Sequence, residues 1–284
     1  MDVKTLQDIP PWEWPSDAKE AIHRVLVDKQ ADKSDRLLAA ELAGENVVVD
    51  DEMADSLLAI LRSREEPEWL RARAAISLGP VLEMADTVEL DGEFDDPDAV
   101  PITERAFHNI QDALQELYGN EKTPKEVRRR ILEASVRAPQ DWHLSALPAA
   151  YSSGDKDWML TALFGMGWIR GFDDQILEAL ESADDAIHYE AVVAAGRQQL
   201  VAAWPHVVAL VEDRSTPKPL LLAAIEAVGN IRPREAGTVL IELRDSTDDE
   251  EIAEATDEAM MMAEAMTSEG DEDDDDEDTG EWIN

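Results

Sequence analysis

Apolar residues recur along most of this chain at the three- and four-residue spacing that places them on one face of an α-helix. Ile176, Leu177 and Leu180 are one example. Asp and Glu gather at the starts of these segments, where the helix dipole favours negative charge. Apart from residues 46–49, no segment of strand length alternates between apolar and polar positions. The pattern therefore predicts an all-α fold.

The predicted helices come in pairs, each with a first and a second helix joined by a short turn. We expect seven pairs: 17–30 with 33–43, 50–63 with 67–85, 102–119 with 124–137, 141–152 with 156–168, 173–182 with 186–199, 201–212 with 217–230, and 234–245 with 249–266. Pro67, Pro124 and Pro217 lie at starts of second helices, where a first turn tolerates a missing N–H donor.

A six-residue motif recurs in the second helices: alanine, an apolar residue, two free positions, an apolar residue and glycine. Its copies are Ala39–Gly44, Ala74–Gly79, Ala162–Gly167, Ala191–Gly196 and Ala224–Gly229, with a degraded copy at Ala255–Met260. Neighbouring copies start 29–35 residues apart, with one gap of 88. Such a period is typical of stacked helix pairs, and small residues allow neighbouring helices to approach closely. The motif predicts an α-solenoid, wound as a right-handed superhelix.

Two of these second helices carry a family resemblance. Residues 70–79 (LRARAAISLG) and 187–196 (IHYEAVVAAG) look like the second helix of HEAT repeats. More narrowly, they are similar to the short HEAT-like repeats of the bilin lyase family. The resemblance covers roughly residues 17–266 and implies about seven HEAT-like pairs whose second helices line a concave surface. It implies almost nothing about activity.

Three regions depart from the repeat. Residues 1–16, with three prolines and two tryptophans, are expected to form a capping segment on a solenoid of residues 17–266. Residues 86–101 are a polar insertion between helices, and the third pair, beside it, lacks the motif. Residues 267–284 are expected to be a disordered acidic tail, because ten carboxylates and no base lie between Glu269 and Glu281.

The formal net charge of −40 limits the classes of molecule that could bind this protein. A field of this sign repels nucleic acid and anionic membranes and attracts basic proteins. Adaptation to a salt-rich cytoplasm explains the same charge without a partner, and both interpretations stay open. Cysteine is absent, which excludes disulfides and thiolate metal sites. Since no signal peptide or membrane span is recognisable, we expect a soluble, cytoplasmic protein.

No residue pattern indicates catalysis, a cofactor or a metal. The five histidines lack ligand spacing and form no His-Glu dipeptide, whereas the HEAT-like enzyme deoxyhypusine hydroxylase builds its di-iron site from such motifs. The glycines between Gly165 and Gly171 follow no strand, so they favour helix packing over a phosphate site. Carboxylates between Asp91 and Asp98 are dense enough to consider calcium binding, but a solvated loop is the favoured interpretation.

Basic and aromatic residues on or just after the second helices are the remaining candidates for binding. We expect a partner to contact Arg71, Arg73, Arg128, Arg129, Trp158, Arg170, His188, Tyr189 and Arg197. Salt bridges between repeats explain these arginines without a partner.

The predicted function is a non-enzymatic scaffold that binds another protein on the concave face, and the negative net charge favours a basic partner. Two alternatives remain. One is a lyase- or chaperone-like protein acting on a bound pigment or cofactor. The other is an acidic mimic or chaperone of basic proteins.

Overall fold

A computed structural model describes residues 2–91 and 100–273, with side chains placed for 2–88 and 100–267. Within these ranges there are fifteen α-helices, three short 3-10 helices and no strand. The first seven α-helices are α1 (Ala18–Val27), α2 (Lys33–Leu42), α3 (Asp51–Arg62), α4 (Glu68–Ile76), α5 (Gly79–Asp91), α6 (Glu104–Gly119) and α7 (Lys125–Ser135). The others are α8 (His143–Tyr151), α9 (Lys156–Met166), α10 (Asp173–Leu180), α11 (Asp185–Arg197), α12 (Trp204–Glu212), α13 (Lys218–Ile231), α14 (Pro233–Ser246) and α15 (Glu250–Asp273).

All seven predicted helix pairs are present, with differences at two boundaries. The helix predicted for residues 67–85 is divided into α4 and α5 at Ser77 and Leu78. Pro80 lies in the first turn of α5, where its missing N–H costs no helical bond. The predicted insertion at 86–101 is therefore helical up to Asp91, and its residues 92–99 lie outside the described part. The last helix continues to Asp273, seven residues beyond its predicted end.

By its internal contacts the chain divides into two compact units, residues 1–146 and 147–284. In the first unit, the second helices α2, α4 and α7 pack in sequence against one another, and α1, α3 and α6 do the same. In the second unit α9, α11, α13 and α15 pack in sequence. Each unit is thus a stack of helix pairs, which confirms the all-α solenoid fold.

The glycines of the repeated motif lie where neighbouring second helices touch. A Cβ atom added to Gly196 of α11 would lie 2.9 Å from the Cα of Ala227 in α13. One added to Gly229 of α13 would lie 3.0 Å from the carbonyl oxygen of Ala259 in α15. Real Cβ atoms almost never approach as closely as the first contact, and the second is tighter than nine in ten real Cβ contacts. The predicted role of the small residues in close helix packing is confirmed.

The N-terminal segment packs on the first helix pair. Its 3-10 helix Val3–Leu6 contacts α1 and α2, and both of its terminal side chains are buried. The indole of Trp14 donates to the carbonyls of Leu6 and Ile9, whereas Trp12 is 79% exposed. Of the two tryptophans in the segment, Trp14 therefore packs against the hydrophobic core and Trp12 points to solvent.

Candidate partner-binding cleft on the second helices

A cleft of about 1040 Å³ runs along α11, α13 and α15 of the second unit. Its apolar floor includes Leu222, Ala223 and Ile225 of α13. Met262 of α15 and Tyr189 of α11 extend this surface and are 56% and 39% exposed. Ala223 and Ile225 are themselves buried, so the apolar surface that the cleft exposes comes mainly from Tyr189, Leu222 and Met262. An open surface of this kind is suited to a second chain rather than to a small enclosed ligand.

The walls of this cleft are acidic. Glu251, Glu254 and Glu258 follow one another on one face of α15, and Glu226 faces the same cleft from α13. Within the described residues, Glu226, Glu254 and Glu258 form no ion pair. We call this region, with its apolar floor, the acidic cleft.

Lys218 is the single basic residue among the side chains that line this cleft, and two carboxylates neutralise its charge. Lys218 Nζ lies 2.8 Å from Asp249 and 2.6 Å from Glu251. The hydrogen bonds that Lys218 donates to Asp249 and Glu251 raise its pKa, so that it stays charged. The remaining field in the acidic cleft is negative and attracts cationic side chains.

The acidic cleft continues towards α9. Tyr189 also lines a smaller cleft of about 200 Å³ beside Phe164, Val193 and Arg197. Arg197 in turn lines a cleft of about 380 Å³ with Arg170. Three of the predicted binding residues, Tyr189, Arg197 and Arg170, are therefore brought onto one continuous surface.

At its far end this surface becomes basic. We call this end, formed by Trp168, Arg170, Arg197 and Gln198, the arginine corner. The guanidinium carbon of Arg197 lies 4.6 Å from the centroid of the Trp168 ring, which is a cation–π stacking distance. Arg170 is exposed at the end of the turn after α9.

His188 lies next to Tyr189 but belongs to a different contact. Its Nε2 is 2.7 Å from Nε2 of His206 on α12, so one ring donates the proton and the other accepts it. Burial lowers the pKa of His188, and the neighbouring His206 lowers it further. The pair joins α11 to the first helix of the next repeat, and we place His188 outside the cleft.

Three arginines of the first unit cap the ends of helices and do not face a cleft. They are Arg36, Arg71 and Arg128. Their Nε atoms donate to the carbonyls of Leu26, Leu61 and Tyr118, respectively, over 3.2, 2.9 and 2.8 Å. Each acceptor is the next-to-last residue of the first helix in the same pair, where carbonyls lack helical partners. Arg71 is only 6% exposed. In the sequence, each of these arginines lies ten residues after the residue whose carbonyl it caps. That spacing is the signal that marks the capping role, for Arg36 as well as for the two predicted residues.

The other three predicted residues also take part in packing. Arg73 lies 3.6 Å from Glu41 of the preceding pair. Arg129 is buried and pairs with Glu126 at 2.8 Å on its own helix. Trp158 is half-buried in the first turn of α9. The alternative that the arginines form salt bridges between repeats describes Arg73, whereas Arg129 pairs within its own helix.

Comparisons with known proteins add little. No protein-family model and no curated protein matches the chain. Human deoxyhypusine hydroxylase, solved with glycerol, is similar at 15% identity and a TM-score of 0.40, over 93% of this chain and 88% of that one. YibA of Escherichia coli is similar at 12% identity and a TM-score of 0.43, over 92% and 97%. At such scores neither likeness supports an inference about function.

The described residues contain neither a candidate metal site nor a candidate membrane span. No group of three or more His, Asp or Glu side chains there is arranged to hold a metal ion. The carboxylates at 93–98, which the sequence offers as calcium ligands, lie outside the described residues. None of the helices described combines the length and the apolar character needed to cross a bilayer.

Proposed function

We propose that this cytoplasmic protein is a HEAT-like interaction module that binds a basic, amphipathic segment of another protein in the acidic cleft. One observation carries the proposal: a cleft across three consecutive second helices is lined by four glutamates, one neutralised lysine and the partly exposed apolar side chains of Tyr189, Leu222 and Met262. A segment with lysines or arginines along one side and apolar residues along the other matches both features of the cleft.

The two features would contribute differently to binding. Covering the exposed parts of Tyr189, Leu222 and Met262 supplies affinity, at about 25 cal/mol per Å² of apolar surface removed from water. The unpaired glutamates select basic partners and speed their association, and this contribution weakens as salt is added. Binding that combines both is retained in part at high salt, whereas capture by general acidity is not.

The test uses an amphipathic leucine–lysine peptide of about 18 residues, which spans roughly 27 Å as a helix. Its affinity is measured by fluorescence anisotropy. Because charge reversal replaces attraction by repulsion, we expect Glu254→Lys and Glu258→Lys each to weaken binding about tenfold. Glu242→Lys makes the same charge change on α14, outside the cleft, and should have little effect.

A second pair of variants tests the apolar floor. Met262→Ser removes a side chain that is 56% exposed in the cleft, and Ile241→Ser removes one that is 57% exposed on α14. We expect only Met262→Ser to weaken the peptide complex. If the cleft variants and their α14 controls weaken binding equally, the peptide is held by overall charge and the proposal is wrong.

A further inference from the structure

The arginine corner has a composition opposite to that of the acidic cleft it adjoins. Arg197 is held by Phe164 and Trp168, with its guanidinium carbon 5.9 and 4.6 Å from the two ring centroids. A stacked guanidinium keeps its N–H edges in the ring-parallel plane, where they can donate in pairs to a carboxylate. The aromatic rings therefore hold the guanidinium of Arg197 in place, and within the described residues no hydrogen bond or ion pair uses its N–H groups.

Within the described residues, neither Arg170 nor Arg197 forms an ion pair, although the chain carries 65 carboxylates. Asp173 and Asp174 line an adjoining cleft with Arg170, yet neither pairs with it. Arg129 and Arg130, by contrast, are both paired with Glu126 and Glu133. Two arginines that face one cleft without a carboxylate partner are free to bind one from outside.

The backbone at this corner is also unusual. Gln199, just after α11, has φ of 51°, a left-handed conformation that glycine adopts at less cost. It lines a cleft with Arg170 and Gln198, and the side-chain amide of Gln198 donates to the carbonyl of Met166 at 2.9 Å. The same residue ends α11 in a helix C-cap, in which the N–H of Leu200 donates to the carbonyl of Ala195 at 3.0 Å. The cap thus places Gln199, rather than the more usual glycine, beside Arg170.

We propose that the arginine corner binds a carboxylate carried by the segment that occupies the acidic cleft. This inference rests on the proposed function and adds a direction to it. Arg197 is eight residues from Tyr189 along α11, or about 12 Å. A bound segment would place its basic residues against α13 and α15 and its carboxylate at the ends of α9 and α11. The two oppositely charged ends allow only one orientation.

The experiment extends the leucine–lysine peptide, with both ends blocked, in three ways. One peptide adds two glutamates at the N-terminus, a second adds them at the C-terminus, and a third has an unblocked C-terminal carboxylate. Since a paired arginine–carboxylate bond contributes about tenfold in affinity, we expect a gain of that size when the carboxylate is at one end only. The third peptide distinguishes a chain terminus from acidic side chains as its source.

Protein variants then locate the gain. Arg170→Gln and Arg197→Gln should each abolish the gain, measured for each variant as the ratio of its affinities for the extended and the blocked peptide. Arg214→Gln removes an exposed arginine from the loop after α12, and this variant should retain the gain in affinity. Arg170 is itself exposed, so its variant remains informative if loss of the Arg197 stack impairs folding.

The outcomes separate the two proposals. If the parent peptide binds but no carboxylate adds affinity, or if the gain survives both arginine variants, the arginine corner is not an anion site. If the parent peptide does not bind at all, the proposed function fails. The corner is then judged alone, by NMR of the Arg197 Nε–H signal during titration with glutarate. A saturable shift that Arg170→Gln abolishes supports the anion site, and its absence overturns it.

Discussion

At the scale of single residues, His143 is a fully buried titratable side chain whose environment favours its neutral form. Its Nε2 lies 2.9 Å from the hydroxyl oxygen of Ser135, and its Nδ1 accepts from the backbone N–H of Gln140, also at 2.9 Å. Burial lowers the pKa of His143 to about 4. The unfolded chain therefore takes up a proton near pH 6.5, which the folded chain resists until about pH 4.

This difference predicts a pH dependence of stability. The contribution of neutral His143 is complete above about pH 6.5 and is lost as the pH falls to about 4, amounting to about 3 kcal/mol. His143→Asn should destabilise the protein at pH 7, and this deficit should shrink or reverse towards pH 4. Urea unfolding at each pH measures both values. His23→Asn, which removes a His–Ser bond of equal length at a half-buried site, is the control. A deficit for His143→Asn that stays constant with pH would contradict the assignment.

At the scale of helices, two glycines of similar local structure are expected to respond oppositely to alanine. Gly196 of α11 leaves no room for a Cβ beside Ala227, whereas a Cβ on Gly237 of α14 would meet no atom within 4 Å. Gly196→Ala should destabilise the fold by about 1–3 kcal/mol, because the stacked second helices must separate. Gly237→Ala should stabilise it by about 0.5–1 kcal/mol, through helix propensity alone. Equal effects in denaturant unfolding would show that glycine spacing does not set the helix stacking.

Helix pairs were predictable from the sequence because apolar periodicity and small residues report directly on packing. The ends of the helices were less predictable. At the break between α4 and α5, Gly79 lies so close to Arg137, just after α7, that an added Cβ would be 2.9 Å from its Cδ, and local sequence does not report such a tertiary contact. The extension of α15 to Asp273 runs into a stretch whose composition alone favours disorder. Local composition decides such boundaries poorly when tertiary contacts and helix continuation compete with it.

At the scale of the molecule, the candidate surface was only partly predictable. Tyr189, Arg170 and Arg197 could be nominated because aromatic and basic residues are scarce. The acidic wall formed by Glu226, Glu254 and Glu258 could not, since nothing in the sequence separates these from the chain's other carboxylates. Arg71 and Arg128 were assigned to binding because the sequence does not state which face of a helix a guanidinium reaches. Three-dimensional position, not residue type, distinguishes a capping arginine from a free one.

The net charge of −40 leads to a last prediction, for the whole chain. Mutual repulsion among excess carboxylates opposes the compact state, and added salt screens it, shortening the Debye length from about 30 Å at 0.01 M to about 10 Å at 0.1 M. We expect the urea midpoint of unfolding to rise with NaCl, with most of the rise below about 0.2 M. Choline chloride at equal ionic strength is the control, because it screens equally but binds carboxylates weakly. Equal rises in both salts indicate screening alone. A rise in NaCl that continues to molar concentrations, and that choline chloride does not reproduce, would instead indicate sodium bound to the acidic surface, as adaptation to a salt-rich cytoplasm requires.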